Sequence, residues 1–203
     1  LLCFKDTSWI RFSLANSSIP SNSVSNLVFD RERNLWMHSG SGLTKFDLHN
    51  NFTNYNSINS LFPNCKINKL AFDSKGDLWI GTHSNGLIKF DGESFFTLTE
   101  IEKSIKTMKI LNSDPIRDLV KNNPIFFIQN GSLSPITDIV FEDNSTMWIA
   151  TDGKGIIAIS DGKIEIVNSE NSGLLSDRIT SITINPKGHK WVGMFRKGVA
   201  RFK

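Results

Sequence analysis

A unit of about forty residues recurs along this chain, and no other feature limits its fold as tightly. The clearest copy covers residues 67–96, INKLAFDSKGDLWIGTHSNGLIKFDGESFF. It reads as a strand, a tight turn, a strand with a Trp, a Gly turn, a third strand, another Gly turn and the start of a fourth strand. The pattern returns over 27–47, 139–162 and 182–203. Trp36 and Trp79 are 43 residues apart, as are Trp148 and Trp191, but Trp79 and Trp148 are 69 apart. An apolar triplet at i, i+3, i+5 precedes each Trp: Val24/Leu27/Phe29, Ile67/Leu70/Phe72, Ile136/Ile139/Phe141 and Ile179/Ile182/Ile184. The long gap holds a fifth triplet, Ile105/Met108/Ile110, with Ile125 and Ile128 at the third-strand offset. Residues 105–133 are therefore expected to form a degenerate repeat that lacks the Trp. Within it, 103–118 reads as strand by the triplet and as a short helix by its charge spacing.

The third strands carry apolar residues side by side, as in Leu87-Ile88 and Ile156-Ile157. Strict alternation would put one of each pair in water; a sheet buried on both faces would not. Small sheets that bury both faces by stacking radially are propeller blades, with the Trp as the broad plate between them. The expected fold is all-β, a β-propeller with about five blades in this chain, one of them degenerate. Expected repeat limits are 1–14 (partial), 24–56, 67–99, 105–133, 136–167 and 179–203 (partial). Residues 1–9 superimpose on 87–95, so the chain starts and stops inside a repeat. Two arrangements fit: five blades closed by pairing the terminal strands, or five blades of a larger seven-bladed ring. The stretch 16–23 reads as an exposed Asn/Ser/Pro linker.

Composition narrows the partners. The net charge is +3 with no basic run, which gives no electrostatic footprint for nucleic acid. Two cysteines, Cys3 and Cys65, allow one bridge or none. Leu1-Leu2-Cys3 reads as strand rather than as a lipoprotein cleavage site. Neither a signal sequence nor a transmembrane span is evident. Asp73-Ser-Lys-Gly-Asp77 reads as a turn, because a calcium loop needs a later bidentate Glu.

The stretches from Ser21-Asn-Ser-Val to Trp36, and from Ile67 through Asp73-Ser-Lys-Gly-Asp-Leu-Trp-Ile-Gly-Thr82 to Asn85-Gly-Leu-Ile-Lys-Phe-Asp91, resemble the two-component regulator propeller repeat. The resemblance is strong in four copies and weak in the fifth. It departs at His38-Ser39, Ala150 and Met194-Phe195, where the family pattern has Gly-Thr, Gly and Thr with its successor. The family implies a periplasmic, non-catalytic sensor region of a hybrid two-component system of Bacteroidetes type, responding to oligosaccharides. Its partners would be further propeller and signalling domains of the same chain, with a homodimer as one assembly. It implies no cofactor.

A ligand would meet the turns between second and third strands. A sugar site needs amides, carboxylates and guanidinium for hydroxyls, and an aromatic face for the ring; His83, Asn85, Asp152, Phe195 and Arg196 supply these types. Each is equally readable as plain turn polarity. His38 and His83 suggest a metal pair, but a third ligand is not evident. Some propeller lyases share a D-G-x-L-W repeat and use a His with magnesium. Here His189 falls on the opposite face from His83, and His49 between third and fourth strands, which argues against that activity. A third class is a protein-docking propeller, for which Phe62, Phe126 and Phe127 are the exposed aromatic candidates.

Overall fold

The computed structural model describes residues 1–40, 42–47, 49–97, 128–129, 132–142, 146–160 and 163–202. Three antiparallel four-stranded meanders form its body. The first comprises β3 (Val24–Phe29), β4 (Leu35–Ser39), β5 (Gly42–Phe46) and β6 (Phe52–Tyr55). The second comprises β7 (Ile67–Phe72), β8 (Leu78–Thr82), β9 (Leu87–Phe90) and β10 (Phe95–Thr97). After the short hairpin of β11 (Ile128–Gln129) and β12 (Ser132–Leu133) comes the third: β13 (Ile136–Phe141), β14 (Thr146–Thr151), β15 (Ile156–Ser160) and β16 (Lys163–Val167). A three-stranded sheet follows, β17 (Ile179–Ile184), β18 (Lys190–Met194) and β19 (Gly198–Phe202). At the other end β1 (Leu2–Lys5) pairs with β2 (Ser8–Arg11). This is a β-propeller architecture, in which successive meanders pack face to face.

Among the described residues, each of the four apolar triplets lies on the first strand of its sheet. Within that strand the register slips by one residue, between Ile67 and Lys69, Ile136 and Asp138, and Ile179 and Ser181. Such bulges bend the strand and free a backbone carbonyl. The neighbouring blade uses it. Asn26 Nδ2 donates to the Ile67 carbonyl (3.1 Å), Asn68 Nδ2 to that of Ile136 (2.9 Å), and Thr137 Oγ1 to that of Ile179 (2.8 Å). Asp138 draws three blades together: it accepts from Lys69 Nζ (2.8 Å) and from the Ile182 N–H (3.0 Å).

The core lies between sheets, and Trp36, Trp79 and Trp148 face forward into it. Trp36 and Leu43 pack with Leu70, Leu78, Ile88 and Phe90 of the second meander. Trp79 packs with Ile136, Ile139 and Ile149 of the third. Trp148 packs with Ile179, Ile182 and Val192 of the fourth. Burying roughly 200 Å² of indole contributes about 5 kcal/mol before conformational entropy is counted. The polar end of each ring is satisfied by the acid that opens its own turn. Nε1 donates to Asp30 at 2.8 Å, Asp73 at 2.9 Å and Glu142 at 2.9 Å, always six residues upstream. Asp73 Oδ1 also takes the N–H groups of Lys75, Gly76 and Asp77, so both its oxygens serve the turn.

Several expectations need correction. The degenerate repeat at 105–133 lies almost wholly outside the described residues, as do Phe126 and Phe127. The second and third meanders touch directly. The Asn68–Ile136 link matches the Thr137–Ile179 link one step further along. A Cβ on Gly81 would lie 2.5 Å from Ile136 Cγ2. The terminal strands do not complete one sheet: β1 pairs with β2, and β19 with β18. With no sheet against them among the described residues, Leu27 (57 %), Phe29 (65 %) and Trp191 (42 %) are exposed despite their core pattern. Cys3 and Cys65 are both free thiols.

The 16–23 linker is not a plain exposed loop. Loops 13–23, 56–66 and 168–178 share one lock. Asn16 Oδ1 accepts from the Ser13 N–H and its Nδ2 donates to the Arg11 carbonyl; Asn59 does the same with Asn56 and Asn54, and Asn171 with Asn168 and Ile166. The next Ser hydroxyl, Ser17, Ser60 or Ser172, returns to the carbonyl of the lock's first residue. Two positions on, Ile19, Phe62 or Leu174 plugs into the core. Phe62 is thus a buried anchor, not part of an exposed aromatic patch.

Candidate functional site

The turns after β4, β8, β14 and β18 open on the same face as the three locked loops, since each first strand begins where its partner strand ends. The turns are tied to that face by a repeated bond. The N–H of His83 donates to the Lys66 carbonyl (3.0 Å), that of Asp152 to Pro135 (2.9 Å), and that of Phe195 to Arg178 (2.8 Å). Thr82 and Thr151, both fully buried, donate Oγ1 to the Gly86 and Gly155 carbonyls. Gly155 is required there: φ is +73° and a Cβ would lie 2.3 Å from the Val167 carbonyl oxygen.

The junction between the third meander and the β17–β19 sheet collects most of the candidate side chains. Arg178, the last residue of loop 168–178, forms a two-point ion pair with Asp152: Nε to Oδ1 is 2.6 Å and Nη2 to Oδ2 is 3.3 Å. Its Cζ also sits 4.2 Å from the ring centroid of Phe195, on the next turn. The Cζ of Arg196 lies 5.1 Å from the same centroid. Hydrogen bonding and charge from Asp152 both hold the Arg178 guanidinium more firmly protonated. Beneath the cluster the Asp177 carbonyl takes the N–H groups of Gly153 (3.0 Å) and Gly155 (2.8 Å), while its carboxylate takes the N–H and hydroxyl of Ser169. The loop and the two turns are one hydrogen-bonded unit.

Of the five residues expected from sequence, the structure brings Asp152, Phe195 and Arg196 together around Arg178. His83 and Asn85 lie on the same face one turn back; the Asn85 N–H donates to Thr82 Oγ1, and its Oδ1 accepts from the Ser84 hydroxyl. Phe195 is half-exposed but is not an open platform, because guanidinium covers it. Arg178 escaped sequence reasoning; its partner is 26 residues away, and only the packing of two sheets brings them together.

The histidines separate as their positions suggest. His38 belongs to β4 rather than to a turn, and its Nδ1 lies 3.3 Å from Ser25 Oγ. Burial, opposed by the Gly40 backbone and aided by Lys66, lowers its pKa. His189 sits on the opposite face, 3.4 Å from Asn185 Nδ2, and His49 in the turn after β5, its N–H on Asp47. Among the described residues no three of His, Cys, Asp and Glu come together as a metal site. Burial pushes the Cys65 thiol up to about 11.

Residues 56–84 match the family model described as the two component regulator propeller. No curated protein matches the chain in sequence. Among solved structures, the extracellular domain of the hybrid two component system BT3049 from B. thetaiotaomicron shares 21% identity, with a TM-score of 0.62 over 91% of this chain and 22% of that one. The corresponding domain of BT4673 from the same organism shares 16%, with a TM-score of 0.65 over 96% and 23%. Virginiamycin B lyase from Staphylococcus aureus shares 16%, with a TM-score of 0.55 over 95% and 58%. This chain thus spans less than a quarter of the two sensor domains. Its meanders, forward-facing Trp plates and acid-opened turns are those of a propeller, and residues 56–84 are similar to the two component regulator propeller repeat.

Proposed function

We propose that this propeller is the extracytoplasmic, ligand-sensing part of a two-component signalling protein, periplasmic in location, and that it responds to an oligosaccharide. The observation that carries the reading is the family match over 56–84, supported by a fold shared with extracellular domains of hybrid two component systems. The ligand face is the one bearing Asp152, Phe195 and Arg196, with His83 and Asn85 one turn away. Its polar groups suit binding rather than chemistry. Asp152 is engaged by Arg178 and Asp177 by Ser169, so neither of these two carboxylates is placed as a free acid or base. Further propeller and signalling domains of the same chain, and a homodimer, are the partners this role needs.

The test is a phosphorylation or reporter assay on the protein containing this chain, run against a panel of purified oligosaccharides. The reading expects output to change with at least one sugar, and Asp152→Asn with Arg178→Gln to weaken that response. No response to any sugar, with direct titrations also flat, would sink it. The one observation favouring a protein partner instead is the exposure of Ile58 (94 %) and Leu61 (84 %) on one loop of the same face. That reading predicts that Ile58→Ser with Leu61→Ser abolishes output while sugar binding persists.

A further inference from the structure

We infer that the ligand taken at the junction of the third meander and the β17–β19 sheet is acidic: a sugar carrying a carboxylate or sulfate, held by Arg196 and the outer edge of Arg178. This rests on the reading of that face as an oligosaccharide site. The first reason is the fate of the only aromatic among the expected site residues. A neutral pyranose stacks on an open ring, but the Phe195 ring carries the Arg178 guanidinium at 4.2 Å and that of Arg196 at 5.1 Å. What this surface offers a ligand is therefore guanidinium N–H groups rather than a π face.

The second reason is how the charges are spent. The turns 151–155 and 195–198 and the loop 168–178 carry Lys154, Arg178, Arg196 and Lys197 against Asp152, Glu170 and Asp177. Asp177 is occupied by Ser169, and Asp152 balances one face of Arg178. A guanidinium has five N–H donors in a planar fork, and Asp152 uses the Nε and one Nη2 hydrogen. The Nη1 edge remains for a second anion. Planar two-point pairing is what guanidinium does with carboxylate and sulfate-like groups, and Asp152 already demonstrates it at this spot.

The third reason is the backbone under Arg196. It adopts φ 55°, where the equivalent position in the β14–β15 turn is Gly153 at φ 123°. An L residue in this region carries a conformational cost, and it is retained here with the guanidinium beside Phe195. The turn thus sets a second cation next to the first, which a negatively charged occupant would balance.

The experiment uses the protein containing this chain and calorimetric titration with three probes: a galacturonic acid trisaccharide, its methyl ester, and a sulfated disaccharide. The expected result is binding of the acid or the sulfate, weakened by added salt, with the ester at least about tenfold weaker. Arg196→Gln lowers affinity for the acidic probe about tenfold or more, and Arg196→Lys restores part of it. Circular dichroism confirms that both variants fold. If the ester or other neutral sugars bind as well as the acid, or if Arg196→Gln leaves acid binding intact, the acidic assignment is wrong while the oligosaccharide reading survives. If acidic, sulfated and neutral sugars all fail to bind, both readings fall.

Discussion

Gly81 offers the most direct test of how the blades follow one another. It lies on β8, and a Cβ there would meet Ile136 Cγ2 at 2.5 Å, Ile136 Cβ at 3.2 Å and Ile139 Cδ1 at 3.2 Å. Ile136 is fully buried and its backbone carbonyl is held by Asn68, so it has little room to retreat. Overpacking of this kind costs about 1–3 kcal/mol, while replacing Gly by Ala returns about 0.4–1 kcal/mol by stiffening the unfolded chain. Gly81→Ala is therefore expected to destabilise by about 1–2 kcal/mol, or roughly 2–8 °C in Tm for a domain of this size. Gly173→Ala, which meets nothing within 4 Å, is the control and should be neutral or slightly stabilising. Urea unfolding of both variants gives the difference from the midpoint shift. Pairing Gly81→Ala with Ile136→Ala supplies the decisive term. The Ile136 truncation alone leaves a cavity, and the new methyl partly fills it, so the two changes should couple by about 0.5 kcal/mol or more. A neutral Gly81→Ala, or strict additivity with Ile136→Ala, would refute direct contact between the second and third meanders.

Two more predictions test the packing. Because burial lowers the His38 pKa, the unfolded chain holds the extra proton first as pH falls below the ordinary value of 6.5. Stability should decline from there down through the folded pKa, and His38→Gln should flatten that decline; equal declines by denaturant midpoint at pH 7.5 and 5.5 would contradict it. Lys190 is nearly buried, pairs with Glu142 and lies 5.0 Å over the Trp148 ring. Lys190→Met should cost about 1–3 kcal/mol, with Glu142→Gln recovering part of it, and a neutral Lys190→Met in urea would show the pair to be idle.

The propeller was readable because its repeat couples two local signals: the apolar triplet, and a Trp-bearing strand followed by a Gly turn. Both are short-range, so they survive without knowledge of neighbours. The degenerate repeat matched the triplet and the third-strand offset at Ile125 and Ile128. No Trp follows Ile105/Met108/Ile110 within 105–133, and that triplet lies outside the described residues. The loop lock was also on the page, as Asn16-Ser17, Asn59-Ser60 and Asn171-Ser172 with an apolar residue two places on, but polar composition hid the plugs Ile19, Phe62 and Leu174. The site was half legible. Turn residues could be chosen by position, yet Arg178 and its cover over Phe195 arise from two sheets meeting, which no local pattern records.

The direct contact of the second and third meanders bears on how such a chain can grow. Residues 56–66 and 168–178 span their junctions in 11 residues each, whereas 98–135 uses 38 for the same step. For loops in general, closing 38 residues rather than 11 costs only about 1 kcal/mol more, because the penalty rises with the logarithm of length. Blade order is set by carbonyls and Trp plates, not by the connection, so a connection can lengthen severalfold without moving the sheets it joins. The passage leaves and returns beside the locked loops. At that rim an ancestral ring could admit tens of new residues at small energetic penalty and test them against whatever the face already meets.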